Sequence, residues 1–139
     1  MNHIYYELPE LKHEKRYFSD AGYDLMTKET IIIASGETKI INTGVSVDLK
    51  EGYYGRIAGR SSWNSQGLIC TGGVIDSGYT GEIKVSLFNS TKKPIILEKY
   101  TRIAQLIIEN CDLNAIQKIG KAPGKNGRGK NGFGSTNKA

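Results

Sequence analysis

The clearest pattern along the chain is alternation with a period of two. Val45, Val47 and Leu49 alternate with Ser46 and Asp48, and Ile83, Val85 and Leu87 alternate with Glu82, Lys84 and Ser86. Successive side chains leave a strand on opposite faces, so each run predicts a strand with one face in a core and one in water. Shorter apolar runs predict strands over 30–34, 37–49, 53–59, 68–70, 94–97 and 102–108, with a brief one after the turn at Asp20-Ala21-Gly22. Turn residues separate them: Ser35-Gly36, Glu51-Gly52, Ser77-Gly78 and Asn89–Lys93. No helix of ordinary length is predicted. Many short strands at roughly 8–12-residue spacing point to an all-β sandwich or jelly roll. Residues 1–19 are polar and aromatic, and Tyr5-Tyr6 and Tyr17-Phe18 are expected to cover the edge of a sheet.

The pattern breaks where chemistry can sit. Strand 53–59 runs into Arg60-Ser61-Ser62-Trp63-Asn64-Ser65. A cation and two hydroxyls at a strand-to-helix turn suit an anion, since a helix start offers free N–H groups and arginine binds phosphate with two bonds. An ordinary capped turn with a surface arginine has the same sequence. Farther on, Gly73-Val74-Ile75 delivers Asp76 into a turn, Tyr79 follows three residues later, and Gly81 is expected to start the return strand. The resulting hairpin sets an acid beside an aromatic ring; in isolation Asp76 also serves as a turn stabiliser. Asp24, between Tyr23 and Leu25, points away from both and needs a partner if it is buried. Gln105 lies inside the apolar run Arg102–Ile108, where its amide must be bonded by backbone or by a ligand.

Composition narrows the picture. The 139 residues suffice for one domain with a real core. The net charge of +5 comes entirely from residues 120–139, which hold Lys121, Lys125, Arg128, Lys130 and Lys138 and no acid. That tail is rich in glycine and cannot bury enough to fold alone. Its single aromatic, Phe133, is flanked by glycines that let backbone approach a ligand closely. The tail comes near a phosphate-binding P-loop, but Asn131 stands where Ser or Thr is required, and neither a preceding strand nor a following helix is expected. Cys70 and Cys111 read as reduced thiols of a cytosolic-type protein. No leader or membrane-spanning run is expected.

Five segments now stand in order: Ala21-Gly22-Tyr23-Asp24-Leu25; Gly59-Arg60-Ser61-Ser62; Gly73-Val74-Ile75-Asp76 with Tyr79 and Gly81; Arg102-Ile103-Ala104-Gln105-Leu106; and Arg128-Gly129, then Gly132-Phe133-Gly134-Ser135-Thr136. Their order and spacing resemble the five motifs of the trimeric dUTPase family over residues 21–136. The resemblance implies a jelly-roll β-barrel over 1–119 and a flexible C-terminal arm over 120–139 that closes on the substrate. It implies a homotrimer with active sites shared between chains, a cytoplasmic or nuclear location, and hydrolysis of dUTP to dUMP and pyrophosphate. It makes Asp76 the general base that activates a water against the α-phosphorus, a task suited to a carboxylate within hydrogen-bond reach. Tyr79 would pack under the deoxyribose, and uracil would pair with backbone near Gly73 and Lys84. Arg60, Ser61, Ser62 and Gln105 would bind the phosphates. Arg128 would reach the γ-phosphate, and Phe133, with Gly134, Ser135 and Thr136 beside it, would cover uracil. Mg²⁺ would ride on the phosphates, with Asp24 holding one of its waters.

The chain departs from the family pattern at Gly59, where proline is common, and at Ser62, Gly78, Thr80, Thr101 and Asn137. The Ser62-Trp63 and Ser77-Gly78-Tyr79-Thr80-Gly81 forms resemble those of some retroviral members. Three other readings compete. A dCTP deaminase shares the fold but needs a glutamate where Ser86 stands. A nucleotide-dependent binding module would not need Asp76. Nucleic-acid binding by the basic tail would be strongly salt-dependent; the resemblance assigns the tail to the nucleotide, so neither a nucleic-acid nor a membrane partner is expected.

Overall fold

A computed structural model describes residues 1–124. One antiparallel sheet holds β2 (Gly22–Met26), β6 (Tyr53–Gly59), β8 (Val74–Ile75) and β11 (Arg102–Asn110), in the order β2-β11-β6-β8. A second holds β4 (Thr38–Asn42), β7 (Leu68–Cys70) and β9 (Lys84–Asn89), in the order β4-β9-β7. Two antiparallel pairs complete the wall: β1 (His3–Tyr6) with β5 (Val45–Asp48), and β3 (Ile31–Ile33) with β10 (Ile95–Leu97). Among the described residues the helical content is a 3₁₀ turn at Pro9–Leu11 and one turn, α1 (Ser61–Asn64).

The alternating positions meet in one core. Leu25, Ile57 and Leu106 of the first sheet face Ile41, Leu68, Val85 and Leu87 of the second, with Val45, Val47, Ile33 and Leu97 closing the sides. Each fully buried aliphatic side chain contributes about 1.5–3 kcal/mol. A one-residue slip of any of these strands would put that face in water, so register is strongly fixed.

Three expectations need correction. The run 37–49 is two strands, because Gly44, at φ +70°, turns the chain between β4, which pairs with β9, and β5, which pairs with β1. The predicted hairpin around Asp76 is a corner between sheets: β8 pairs with β6, whereas β9 pairs with β4 and β7. Its return strand starts at Lys84 rather than Gly81, because Ile83 is buried and its backbone bonds sideways to Thr43 and Val45. Tyr5-Tyr6 covers an edge as expected, through the pairing of Tyr6 with Val45, whereas Tyr17 and Phe18 are exposed and outside any strand.

Past β11 the chain runs exposed over 112–124, and the buried core draws nothing from it. Cys70 and Cys111 are free thiols. Among the described residues no helix is long and apolar enough to cross a membrane.

Candidate active site

Three of the five segments lie on neighbouring strands. In the β2–β11–β6 register, Gln105 stands opposite Asp24 on one side and Ala58 on the other. Opposed residues of an antiparallel pair leave the sheet on the same face. Leu25, Ala104, Leu106 and Ile57 therefore enter the core, while Asp24 and Gln105 face out of it. The Gln105 amide donates weakly to the Gly59 carbonyl at 3.4 Å. It lies against Gly22, where an added Cβ would come within 2.2 Å of Gln105 Oε1.

Asp24 is 8% exposed, and it has its partners. The Arg60 guanidinium donates to Oδ1, and Arg102 Nη1 lies 3.6 Å from Oδ2. Arg102 reaches this face through a bulge. The β2–β11 register shifts between Arg102 and Ala104, which leaves Ile103 as well as Ala104 in the core and returns Arg102 to the side of Asp24. Trp63, just after the serines, fixes the other approach: its indole N–H donates 2.9 Å to the Arg102 carbonyl. His13 completes the cluster, its Nδ1 3.2 Å from Oδ2, with both ring nitrogens buried and neither hydrogen-bonded.

α1 begins as the sequence suggests, but Arg60 rather than a serine occupies the capping position. The N–H groups of Trp63 and Asn64 return to the Arg60 carbonyl at 3.1 and 3.0 Å. Those of Ser61 and Ser62 precede the first internal bond and point outward from the turn. A cleft of about 380 Å³ opens beside the cluster, lined by His13, Asp24, Arg102 and Gln105 among others. Its lining also carries Arg16, Glu14 and Asp20, while at Asp24 itself two guanidiniums face one carboxylate.

Asp76 and Tyr79 stand elsewhere. Asp76 is exposed directly after β8, and the Tyr79 N–H donates 3.0 Å to its carbonyl, so the acid and the ring share one turn. The Gly73 carbonyl accepts from the Ile57 N–H at 3.0 Å, and a Cβ at Gly73 would lie 3.1 Å from Ile57 Cδ1. Among the described residues β8 is the last strand of its sheet, with one unpaired edge. Lys84, at the exposed start of β9, pairs with Asn42 of β4, while the β7 pairing of β9 starts three residues on, at Leu87. Among the described residues no strand pairs with the outer edge of β8 or, before Leu87, with the β7 side of β9.

Ile75 pairs with Gly55 near the start of β6, whereas Arg60 follows its end. Five residues of strand put about 17 Å between the Asp76 corner and Arg60. The structure thus gathers Asp24, Arg60, Arg102 and Gln105 at one end of the first sheet, whereas Asp76 and Tyr79 lie in the turn beyond β8, Gly73 lies against Ile57 midway along β6, and Lys84 belongs to the second sheet. Arg128, Phe133, Gly134, Ser135 and Thr136 lie outside the described residues.

The dUTPase family model matches residues 11–137, which takes in both clusters. The chain belongs to the dUTPase family. It is 41% identical over 120 residues to the deoxyuridine 5'-triphosphate nucleotidohydrolase of Debaryomyces hansenii, covering 85% of this chain and 75% of that one. It is 38% identical over 117 residues to the Pol polyprotein of Caprine arthritis encephalitis virus (strain Cork), covering 84% of this chain and about a tenth of the polyprotein's length. Among solved structures, the native EIAV dUTPase is similar with a TM-score of 0.76 at 35% identity, covering 88% of this chain and 99% of that one.

Two features of this dUTPase-family site had no signal in the sequence. Arg102 opens the fourth segment, but nothing in the run Arg102-Ile103-Ala104 marks the bulge that turns it towards Asp24. His13 stands in a segment with no periodicity, eleven residues before Asp24, and only the fold brings the two together.

Proposed function

We propose that this chain hydrolyses dUTP to dUMP and pyrophosphate at a site assembled from more than one copy of the chain. The observation that carries the reading is the exposed Asp76 carboxylate on a rigid corner, with the Tyr79 ring in the same turn, in a chain of the dUTPase family. Asp76 orients a water and takes its proton as the water oxygen bonds to the α-phosphorus. The bond from that phosphorus to the α–β bridging oxygen breaks, and pyrophosphate leaves with the electron pair. Tyr79 supports the deoxyribose, and uracil pairs with the backbone between Gly73 and Lys84. A slot of backbone donors and acceptors reads a base edge without a charged side chain.

Arg60, Arg102, Gln105 and the N–H groups of Ser61 and Ser62 bind the triphosphate. Arginine meets phosphate oxygens with paired bonds. One copy does not bring this cluster to its own Asp76, given about 17 Å along β6. A neighbouring copy that sets its phosphate end against the Asp76 corner completes the site, which supports the homotrimer. Arg128 and the segment Phe133-Gly134-Ser135-Thr136 close it against water.

Among the described residues, no three His, Cys, Asp or Glu side chains converge on a point where an ion would sit. Asp24 is also already occupied by guanidiniums. A Mg²⁺ brought in on the phosphates would therefore meet Asp24 only through a water, which the carboxylate would hold alongside its guanidinium partners. When bound, that ion neutralises charge on the phosphate oxygens.

The test is pyrophosphate release from dUTP, dCTP, dTTP and UTP, each with Mg²⁺ and with chelator. Rapid release from dUTP alone, lost with chelator, is expected. Silence on dUTP with ammonia release from dCTP would overturn the reading in favour of deamination.

A further inference from the structure

We propose that Glu82 is a positioning residue for Tyr79 and thereby sets how strongly the site prefers deoxyribose to ribose. The inference rests on the reading of Tyr79 as the ring beneath the sugar.

Tyr79 is 43% exposed, so packing alone does little to fix it. What holds the ring is its hydroxyl, which donates 2.7 Å to the Glu82 carbonyl. The ring thus folds back over Gly81, where an added Cβ would lie 2.8 Å from the Tyr79 hydroxyl oxygen. The position of Tyr79 is therefore only as well defined as the position of the Glu82 backbone.

The Glu82 side chain is what anchors that backbone. Its Oε2 accepts the Gly44 N–H at 2.7 Å and lies 2.7 Å from Lys28 Nζ. Lys28 in turn lies 3.0 Å from Glu7 Oε2. Gly44 can present its N–H because it sits at φ +70°, and a Cβ there would lie 2.5 Å from Leu11 Cδ1. Two segments remote in sequence, at Lys28 and Gly44, converge on the Glu82 carboxylate with charge-assisted bonds, the stronger class of hydrogen bond. Partial burial pushes the Glu82 carboxyl up, and the bonds from Lys28 and Gly44 outweigh it, holding the group below the usual carboxylate range. The next residue is pinned as well: the Ile83 N–H donates 2.7 Å to the Val45 carbonyl. Its carbonyl accepts from the Thr43 hydroxyl at 2.6 Å. The route runs from Lys28 and Gly44 through the Glu82 side chain and carbonyl to the Tyr79 hydroxyl. None of these groups needs to touch the nucleotide except the ring at the end.

A ring that excludes a 2′-hydroxyl does so by position, since a small displacement opens room for one oxygen. Loosening Glu82 therefore relaxes selectivity more than it slows the chemistry at Asp76.

The experiment measures kcat and KM for dUTP and UTP, with thermal melting, in the full chain and in Glu82→Ala, Glu82→Gln, Lys28→Met and Tyr79→Phe. Glu82→Ala is expected to lower the dUTP-to-UTP ratio of kcat/KM by roughly tenfold, chiefly through a gain in kcat/KM for UTP. Tyr79→Phe, which keeps the ring and removes its tether, is expected to match it. The double variant should add little, because both break one chain of bonds. Glu82→Gln keeps an acceptor for Gly44 and should recover part of the ratio. If Glu82→Ala does not fold, Lys28→Met carries the same comparison with a smaller expected loss. An unchanged ratio in folded variants, or additive losses in the double variant, would overturn the inference. A wild-type chain that does not prefer dUTP to UTP would instead overturn the functional reading, and the inference with it.

Discussion

Gln105 stands directly opposite Asp24 across the β2–β11 pairing, so an amide and a carboxylate leave the sheet side by side. Arg60 and Arg102 approach the carboxylate from β6 and from the bulged start of β11. This juxtaposition brings three separate sequence segments onto one face, the proposed phosphate end of the site. It depends on sheet register, and so on the alternation that buries Leu25 and Leu106 on the opposite face.

Gly22 is the residue that lets Gln105 sit there. A Cβ at Gly22 meets Gln105 Oε1 at 2.2 Å and its Cβ at 3.1 Å, so the amide must move. Because the displaced atom is the end of a flexible side chain, Gly22→Ala is expected to change stability little. It is also expected to raise KM for dUTP with the fold kept. Urea denaturation and steady-state kinetics check both; unchanged kinetics would remove Gln105 from the phosphate face.

The Glu82–Lys28 contact makes stability depend on pH in a defined window. The Glu82 carboxyl is held below its ordinary value of about 4.5, so its contribution is present above that pH and is lost as pH falls through the lowered folded value. The Glu82 and Glu7 carboxylates hold Lys28 above its ordinary value of about 10.5, so its contribution is present below that pH and is lost as pH rises through the raised folded value. The contact is therefore complete across the neutral range. Melting of the full chain and of Glu82→Gln, measured from pH 7 downward, should show a gap that closes in acid. A gap that widens in acid would contradict the assignment.

Removing residues 121–139 should leave the barrel intact, because among the described residues the core cluster is complete by Ile108. Turnover of dUTP should fall on the order of 10²-fold or more as closure and substrate positioning are lost. Circular dichroism melting and pyrophosphate release separate the two effects. An undiminished rate would mean the site closes without the arm.

Much of this was legible in the sequence, for physical reasons. Val45, Val47, Ile83, Val85 and Leu87 are core residues, as period-two alternation demands. The Tyr5-Tyr6 edge and the turn after Arg60 also follow from local chemistry. What local chemistry cannot carry is pairing. Val74-Ile75 and Lys84–Asn89 flank a turn and read as one hairpin, yet they join different sheets. The choice is made by long-range partners: Gly55 opposite Ile75, and Thr43 and Val45 beside Ile83. The bulge at Ile103 and the place of His13 beside Asp24 escaped notice for the same reason. Each exists only once strands from distant parts of the chain are laid together.

The separation of Asp76 from Arg60 along β6 is the most exposed claim, and mixing two defective variants tests it directly. Asp76→Asn should bind dUTP but lose on the order of 10²–10⁴ in rate, the range for a missing general base. Arg60→Ala should fail at the phosphate end. If sites form between copies, refolding the two variants together at equal amounts should regenerate intact sites, about a quarter of the total on random assembly of a cyclic oligomer. Pyrophosphate release from dUTP should then exceed that of either variant alone by a wide margin. A mixture that shows co-assembled oligomers yet stays as inactive as its parents would place Asp76 and Arg60 in the same copy's site and contradict the account.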